Sequence, residues 1–342
     1  MFSAQLTWRM GRLAAALLVT VMVQPALDVA AGGAPDPAKV IGPDECGECH
    51  KAEIAIWREA HHAKTLLDMP RDDKAREIAE KMDIRRIRDD NMCAECHFTQ
   101  KMVDGAKEVV AGVSCEACHG PAKDWNRIHS DFGGKDVTAE TETPEHRSER
   151  WAAASAAGMV HHTDLYTLAS QCFDCHTVAE EKLVNLGGHP AGSEFELVAW
   201  SQGEIRHNVW FSEDRKNREA SPERKRVMFV LGKALDLEHA LRGVAGATEK
   251  DKYAVGMAKR AQAAALGIQT LAETVSAPEI AEMLDVVKSL KLSLGNSEPL
   301  NAAADKIADA ARRFVANHDG GDLAAIDPLL PQPDKYKGKP AG

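Results

Sequence analysis

Apolar side chains recur at helical spacing through the last third of the chain. From residue 221 onward they return mostly every three or four positions, or at sums of these, in four segments separated by short polar connectors. Residues that cap helix N-termini stand at the starts of these segments: Ser221-Pro222, Thr248 with Asp251, Ser276 with Glu279, and Asn296 or Ser297. The pattern predicts an antiparallel four-helix bundle over residues 216–330.

Helical spacing is shorter and less regular before residue 216. Ile54, Trp57 and His61 predict a helix over residues 51–68, and the charged stretch 73–82 predicts an amphipathic one. A short Ala-rich helix is expected over 151–158, and the polar segment 133–149 is typical of a loop with His146 exposed to solvent. The predicted fold is therefore mainly α, with little regular sheet.

The two ends of the chain have compositions of their own. Arg9 and Arg12 precede an apolar run over 13–23, and small residues end at Ala31, which is typical of a secretory signal peptide over 1–31. The run is short for a bilayer span, so we expect a periplasmic protein with no integral membrane span after cleavage; a retained anchor is the alternative. Residues 331–342, rich in Pro, Gly and Lys, are expected to form a disordered tail.

Cysteine occurs in one sequence context only. All eight cysteines lie in four C-x-x-C-H motifs: Cys46, Cys49 and His50; Cys93, Cys96 and His97; Cys115, Cys118 and His119; Cys172, Cys175 and His176. This spacing is the attachment signature of c-type haem, in which two thiols bond to one porphyrin and the adjacent imidazole binds its iron. Residues 32–215 are therefore expected to form a tetrahaem domain with four covalently bound haem c groups.

Two other uses of cysteine pairs are weaker explanations. Zinc is also bound by C-x-x-C pairs with histidine, but zinc does not require histidine directly after every pair. A disulfide framework is disfavoured because cysteines so close in sequence make poor structural links. We therefore favour haem. The porphyrins would also supply apolar surface that a chain with only 5% aromatic residues otherwise lacks.

Candidate distal iron ligands come from the histidines outside the motifs. Four of the 14 histidines are in motifs, which leaves ten. His61 or His62 would lie on the first predicted helix, well away from His50. His129 follows Trp125 by one helical turn, and a surface pair is the alternative there. His189 lies in a Gly-rich loop, where backbone can approach a porphyrin closely.

A second group of aromatic and histidine residues follows the Gly-rich loop. His207 stands between Trp200 and Trp210. This favours a segment whose tryptophans pack against a porphyrin while the imidazole binds its iron; the alternative is an aromatic hinge between domains. His239 and His318 occur on charged or polar stretches of the predicted bundle. We expect both to be surface residues rather than ligands.

The first three motifs resemble those of a known family. The order C-x-x-C-H-K, Trp57, His62-Ala63-Lys64, a second C-x-x-C-H, and then GVSCEACHGP with His129 ten residues after its histidine is similar to the tetrahaem cytochrome c554 family. The similarity spans roughly residues 46–176. It implies that His62 and His129 are distal ligands to haems other than their sequence neighbours, that the haems pack in close pairs, and that one haem can lack a distal ligand. Family members serve ammonia oxidation and other periplasmic redox routes.

We take His62, His129, His189 and His207 as the predicted distal ligands. His61, His161 and His162 are substitutes, and ligation by Met69, Met92 or Met102 is a weaker option that would raise the reduction potential. Iron with two protein ligands has no open position. The leading functional hypothesis is therefore electron transfer between redox proteins.

Two other functional classes stay open at this stage. A five-coordinate haem could support a redox enzyme acting on nitric oxide, nitrite or hydroxylamine. The C-terminal helices could instead join the protein to an oligomer or a larger cytochrome complex. The formal net charge of -10 argues against nucleic acid as a partner and suits either a basic redox partner or simple solubility.

Overall fold

Helices dominate the computed structural model, which describes residues 34–210, 212 and 214–341. The expected signal peptide lies outside the described residues. Fifteen α-helices and one two-stranded sheet account for the regular structure of the described chain, together with short 3-10 turns. The predicted mainly α fold with little regular sheet is thus confirmed.

The first half of the described chain is built from short elements. Five helices come first: α1 Pro43–Gly47, α2 Lys51–Glu59, α3 His61–Asp68, α4 Asp73–Lys81 and α5 Asn91–His97. Two strands follow, β1 Phe98–Val103 and β2 Ala106–Gly112, and then the helices α6 Glu116–His119 and α7 Asn126–His129. Helices α8 to α11 are Pro144–Ala156, Leu165–His176, Glu181–Asn185 and Leu197–Ser201. Each C-x-x-C-H motif overlaps one of these short helices, and the first continues past the end of α1 to His50, which precedes α2.

The segment predicted as one helix over 51–68 is two helices. Ala60 is extended (φ −76°, ψ 155°) between α2 and α3, so the chain turns before His61. Helix α3 then packs against β2, where a Cβ on Gly112 would lie 2.2 Å from the carbonyl oxygen of His62. The break therefore lets the helix that carries His62 lie directly on the hairpin.

The β1–β2 hairpin is an element that helical spacing does not predict. Asp104 and Gly105 connect the strands with positive φ values of 49° and 83°. An Asp-Gly pair is a strong signal for such a tight hairpin turn. The hairpin fills the short connection between the second and third motifs.

Helix α8 starts earlier than the expected 151–158. The Thr143 hydroxyl accepts from the backbone N–H of His146 and caps the helix, which begins at Pro144. The predicted loop therefore ends at residue 143. His146 is only partly exposed, because its Nδ1 lies 2.7 Å from a carboxylate oxygen of the buried Glu142.

Four long helices form the C-terminal part: α12 Pro222–Gly246, α13 Lys252–Thr274, α14 Pro278–Ser289 and α15 Ser297–Asn317. Each contacts two of the others in the ring α12–α13–α14–α15–α12. Their inward side chains form the main core, which also takes in Leu165, Tyr166 and Phe173 of α9. The helix that ends in the fourth motif is thus packed onto the bundle.

The haem-motif half has only small apolar clusters by comparison. One consists of Ala79, Ile87, Cys93, Ala94 and Phe98, with partly buried neighbours. The other consists of Ala122, Trp125 and Ala154.

Three expectations about the C-terminal part differ from the structure. His239 and His318 are largely buried rather than on the surface: His239 lies near Ser170 (Nε2 to Oγ, 3.3 Å) and His318 lies between Glu279 and Asp322. Both rings fill gaps beside buried aromatic rings. The tail expected to be disordered has a 3-10 turn at Pro333–Lys335 and specific backbone hydrogen bonds.

Candidate functional site

Every motif histidine faces one further histidine at the same separation. The ring centroids are 6.3 Å apart in all four pairs: His50 with His129, His97 with His189, His119 with His207, and His176 with His62. The interplanar angles differ widely, from 19° to 86°. A constant centroid distance at such different interplanar angles is unlike the stacking of aromatic rings, in which the centroid distance changes with the interplanar angle.

This constant separation is the one that a metal held between the two rings would impose. Imidazole nitrogens bind transition metals at about 2 Å, so two rings on opposite sides of one metal have centroids about 6 Å apart. Within the part of the chain that the structure describes, no three His, Cys, Asp or Glu side chains gather to hold a metal by themselves. Each pair offers two axial nitrogens with two motif thiols beside one of them, a donor set that fits haem c.

The structure brings each of the four predicted distal histidines to one motif histidine. Each of the four faces a motif other than the one that precedes it in sequence. His62 faces the fourth motif, His129 the first, His189 the second and His207 the third. Their role as ligands stays a prediction, and the 6.3 Å geometry supports it.

The substitute histidines lie elsewhere. The His61 ring is 83% exposed, with Nδ1 2.9 Å from the Glu204 carboxylate. The His161 and His162 rings lie against each other at 4.0 Å, and His161 also contacts Trp151. The structure therefore favours the first set over the substitutes.

Burial favours the neutral form of three of the motif imidazoles. It lowers the pKa of His97, His119 and His176 to about 4, because the charged form is poorly solvated in the interior. A neutral imidazole retains the lone pair that a metal requires. At neutral pH these residues are therefore in the form that binds iron.

Hydrogen bonds fix the tautomer of several paired histidines. Nδ1 lies 3.1 Å or less from an acceptor in five of them: His119 from Val160 O, His129 from Asn126 O, His189 from Pro190 O, His207 from Ile205 O and His176 from Ser193 Oγ. Donation from Nδ1–H leaves the Nε2 lone pair free for a metal. Four of these acceptors are backbone carbonyls, so the local fold of each loop or helix orients the ring.

Tryptophans border two of the pairs. Trp200 lies edge-on to His176 at 4.8 Å, and Trp210 lies 5.2 Å from His50. The aromatic residues on either side of His207 thus contact two other motifs. Trp125, which precedes His129 by one turn, is edge-on to it at 5.1 Å.

Thiols of different motifs contact each other. The Cys46 thiol lies close enough to that of Cys115 to shift its pKa, and the same holds for Cys96 and Cys175. Cys118 lies close enough to Cys172 to raise its pKa, although burial is the larger cause. The motifs therefore lie in the spatial order first, third, fourth, second.

Glu116, inside the third motif, connects that motif to the first. Its side chain is buried, and its carboxylate accepts from three backbone N–H groups: Ile41 (3.0 Å), Gly42 (2.8 Å) and Ala122 (2.8 Å). Ile41 and Gly42 lead directly into α1, which carries Cys46. A buried carboxylate with three amide donors holds these backbone segments in one arrangement.

The His129 turn is held by a buried ion pair. Arg150 donates to the His129 carbonyl and, through Nε, to the Glu142 carboxylate at 2.7 Å. Arg150 lowers the pKa of Glu142 to about 2, with further hydrogen bonds from His146 and Arg147. The guanidinium also packs over the Trp151 ring at 4.3 Å.

Comparison with known proteins agrees with this arrangement. The sequence model of the family described as cytochrome c554 and c-prime matches residues 45–120. Cytochrome c-554 of Nitrosomonas europaea is 30% identical over 112 residues, which cover 30% of this chain and 47% of that protein. Both matches support the assignment of this region to the cytochrome c554 family. The resemblance noted in the sequence is confirmed.

Similarity to the cytochrome c554 family has a direct chemical implication. Proteins of the cytochrome c class carry covalently bound haem c, which implies that this chain binds haem c as well. The motif thiols and imidazoles are its predicted haem-binding groups. The chain spans about half the length of the relative that it matches. No solved structure matches it. Among the helices of the described residues, none is long and apolar enough to cross a membrane.

We predict that the Glu116→Gln substitution destabilises the cytochrome. The amide nitrogen of glutamine would face backbone N–H donors in place of a carboxylate oxygen, so we expect the free energy of unfolding to fall by about 3 kcal/mol. Denaturant unfolding of the haem-loaded protein, followed by circular dichroism, measures this. Glu95→Gln is the matched control, because Glu95 is an exposed residue between the cysteines of the second motif. Equal unfolding midpoints for the two variants would contradict the proposed role of Glu116.

Proposed function

We propose that this protein is a periplasmic tetrahaem c-type cytochrome that carries electrons between redox partners. The observation that supports it best is the set of four histidine pairs with ring centroids 6.3 Å apart. When bound, haem c supplies an iron that changes between its ferrous and ferric states. The eight cysteines would attach the four haems, and each histidine pair would supply both axial ligands.

The chain itself would keep each iron closed to other molecules. A second imidazole opposite each motif histidine occupies the position that a small substrate would need. Nδ1 hydrogen bonds to backbone carbonyls would hold three of these second imidazoles, those of His129, His189 and His207, in the orientation and tautomer required. A protein with this ligand set exchanges electrons without making or breaking bonds to a substrate.

The spatial order of the motifs would give electrons a continuous route. Contacts between thiols connect the first motif to the third and the second to the fourth, and Cys118 connects the third to the fourth. The carboxamide nitrogen of Gln171, in the orientation that satisfies its neighbours, donates to Ala117 O and Cys118 O at 2.8 and 2.7 Å. Helices α6 and α9 are thus held together where the two halves of the route would meet.

The alternative function, a redox enzyme for nitric oxide, nitrite or hydroxylamine, requires a motif histidine with an open site opposite it. Each of the four motif histidines has an imidazole in that place in the described structure. No specific observation therefore favours the enzyme. Export to the periplasm rests on the signal-like sequence over residues 1–31, and the acidic chain is suited to a basic redox partner.

Gas binding and turnover test the proposed function. We expect the reduced haem-loaded protein to leave its absorption spectrum unchanged under carbon monoxide, and the oxidised protein to leave nitrite and hydroxylamine unconsumed. All haems should be reduced and reoxidised reversibly by soluble mediators. If the protein both bound carbon monoxide and consumed nitrite or hydroxylamine, the electron-carrier proposal would be wrong and the enzyme hypothesis would be supported.

A further inference from the structure

We propose that Asn217 and the C-terminal tail, residues 331–341, hold in place the segment that carries His207. This inference rests on the proposed function, because it assumes that His207 is the distal ligand opposite His119. Asn217 and the tail would act as positioning elements: neither touches the iron, and both act on the backbone around the ligand.

His207 depends on such support more than two of the other distal histidines do. His62 lies on α3 and His129 ends α7, so helical hydrogen bonds fix their backbones. His207 lies outside any helix or strand, between the end of α11 and the start of α12. An axial ligand must nevertheless be held within a fraction of an ångström of its productive position.

Asn217 is bonded on both sides of His207. Its carbonyl oxygen accepts from the backbone N–H of Asn208 at 3.1 Å, and its amide nitrogen donates to Arg206 O at 2.7 Å. The same nitrogen donates to Ala341 O at 2.6 Å. Asn217 is 7% exposed, and both hydrogens of its amide group are used. One buried carboxamide therefore ties the residues before and after the ligand to the tail.

The tail is also bonded to the chain upstream of His207. The Lys337 N–H donates to Ala199 O at 2.9 Å, and Lys337 O accepts from the Glu204 N–H at 2.8 Å. The Lys337 ammonium lies 5.1 Å from the centre of the Trp200 ring. A Cβ on Gly203 would lie 2.0 Å from Lys337 O, so only glycine lets the tail lie this close.

The hydrogen bonds make a closed path around the ligand segment. Through Lys337 the tail binds residues 199 and 204, which precede His207. Through Ala341 it binds Asn217, which follows His207. Asn217 in turn binds residues 206 and 208. The last residues of the chain thereby restrain a loop more than a hundred positions earlier. Composition alone predicts no such role for a segment rich in Pro, Gly and Lys.

Gly203→Ala and Asn217→Ala test the two halves of this path. Alanine at 203 would displace Lys337 from the loop, and its backbone conformation is one that alanine readily adopts because φ is not positive. Alanine at 217 removes all three side-chain hydrogen bonds. Gly246→Ala is the matched control, because a Cβ there meets nothing within 4 Å and the site lies at the end of α12.

Spin state and carbon monoxide binding of the haem-loaded proteins are the measurements. We expect Gly203→Ala and Asn217→Ala to bind carbon monoxide at up to about one haem per chain. Both should also show the high-spin signal of the reference variant His207→Ala, which lacks the ligand itself. Added imidazole should restore the low-spin spectrum in both variants. Gly246→Ala should remain low-spin and closed to carbon monoxide, with the same haem content.

Each result has a defined meaning. If both variants retain four low-spin haems, unchanged potentials and no carbon monoxide binding, the positioning proposal is wrong while the proposed function stands. If the unaltered protein itself binds carbon monoxide, the proposed ligand set fails first. Should Gly203→Ala not accumulate with its haems attached, Asn217→Ala decides the question alone.

Discussion

The His62→Ala substitution is expected to leave one haem of the loaded protein high-spin and open to carbon monoxide. His62 is the imidazole opposite His176, with ring centroids 6.3 Å apart. Alanine would remove the second predicted axial nitrogen and leave the predicted haem attachment through Cys172 and Cys175 in place. Loss of an imidazole ligand also shifts the reduction potential of that iron. Electron paramagnetic resonance, carbon monoxide titration and potentiometry together measure the effect.

His61→Ala is the control for this experiment. The two histidines are adjacent on α3, yet the His61 ring points outward, is 83% exposed and lies near Glu204. We expect His61→Ala to retain the spectrum and potentials of the unaltered protein. If His61→Ala opened an iron and His62→Ala did not, the ligand assignment on this helix would be reversed.

Replacing all eight cysteines with serine is expected to unfold the haem-motif half and spare the bundle. The buried apolar clusters of the first half are small, five residues in one and three in the other. The bundle has a continuous core from α12 to α15, joined by residues of α9. Without porphyrin to fill the space between the histidine pairs, the first half has too little apolar area to offset its conformational entropy.

Limited trypsin digestion followed by mass spectrometry measures this difference. We expect rapid cleavage before residue 165 and a protected fragment that contains α12 to α15. The haem-loaded protein, digested in parallel, should resist cleavage in both halves. Equal protection of both halves in the serine variant would show that the apoprotein folds without its cofactor.

The motif positions and most of the helices could be read from the sequence because local rules decide them. The C-x-x-C-H spacing is a chemical requirement of haem attachment, readable without a structure. The long helices α12 to α15 follow from apolar spacing and from N-terminal signals such as Ser221, whose hydroxyl accepts from the Arg224 N–H. The hairpin could also have been predicted, because Asp104-Gly105 is a recognised signal for a hairpin turn. A search for helical spacing alone does not detect it.

Contacts between distant segments could not be predicted in the same way. Which distal histidine faces which motif depends on how the short helices turn, as at Ala60, where an extended residue ends a helix that periodicity would continue. The burial of Glu116 among three backbone N–H groups depends on Ile41 and Gly42, more than seventy positions away. Asn217 resembles any polar loop residue until the tail is placed beside it.

The central claim is that each of four haems has two imidazole ligands. The most direct measurement is electron paramagnetic resonance of the fully oxidised, haem-loaded protein, with haem content determined on the same sample. We expect four haem c groups per chain, all low-spin with bis-imidazole signatures. A high-spin ferric signal from an intact sample, or fewer than four haems per chain, would contradict it.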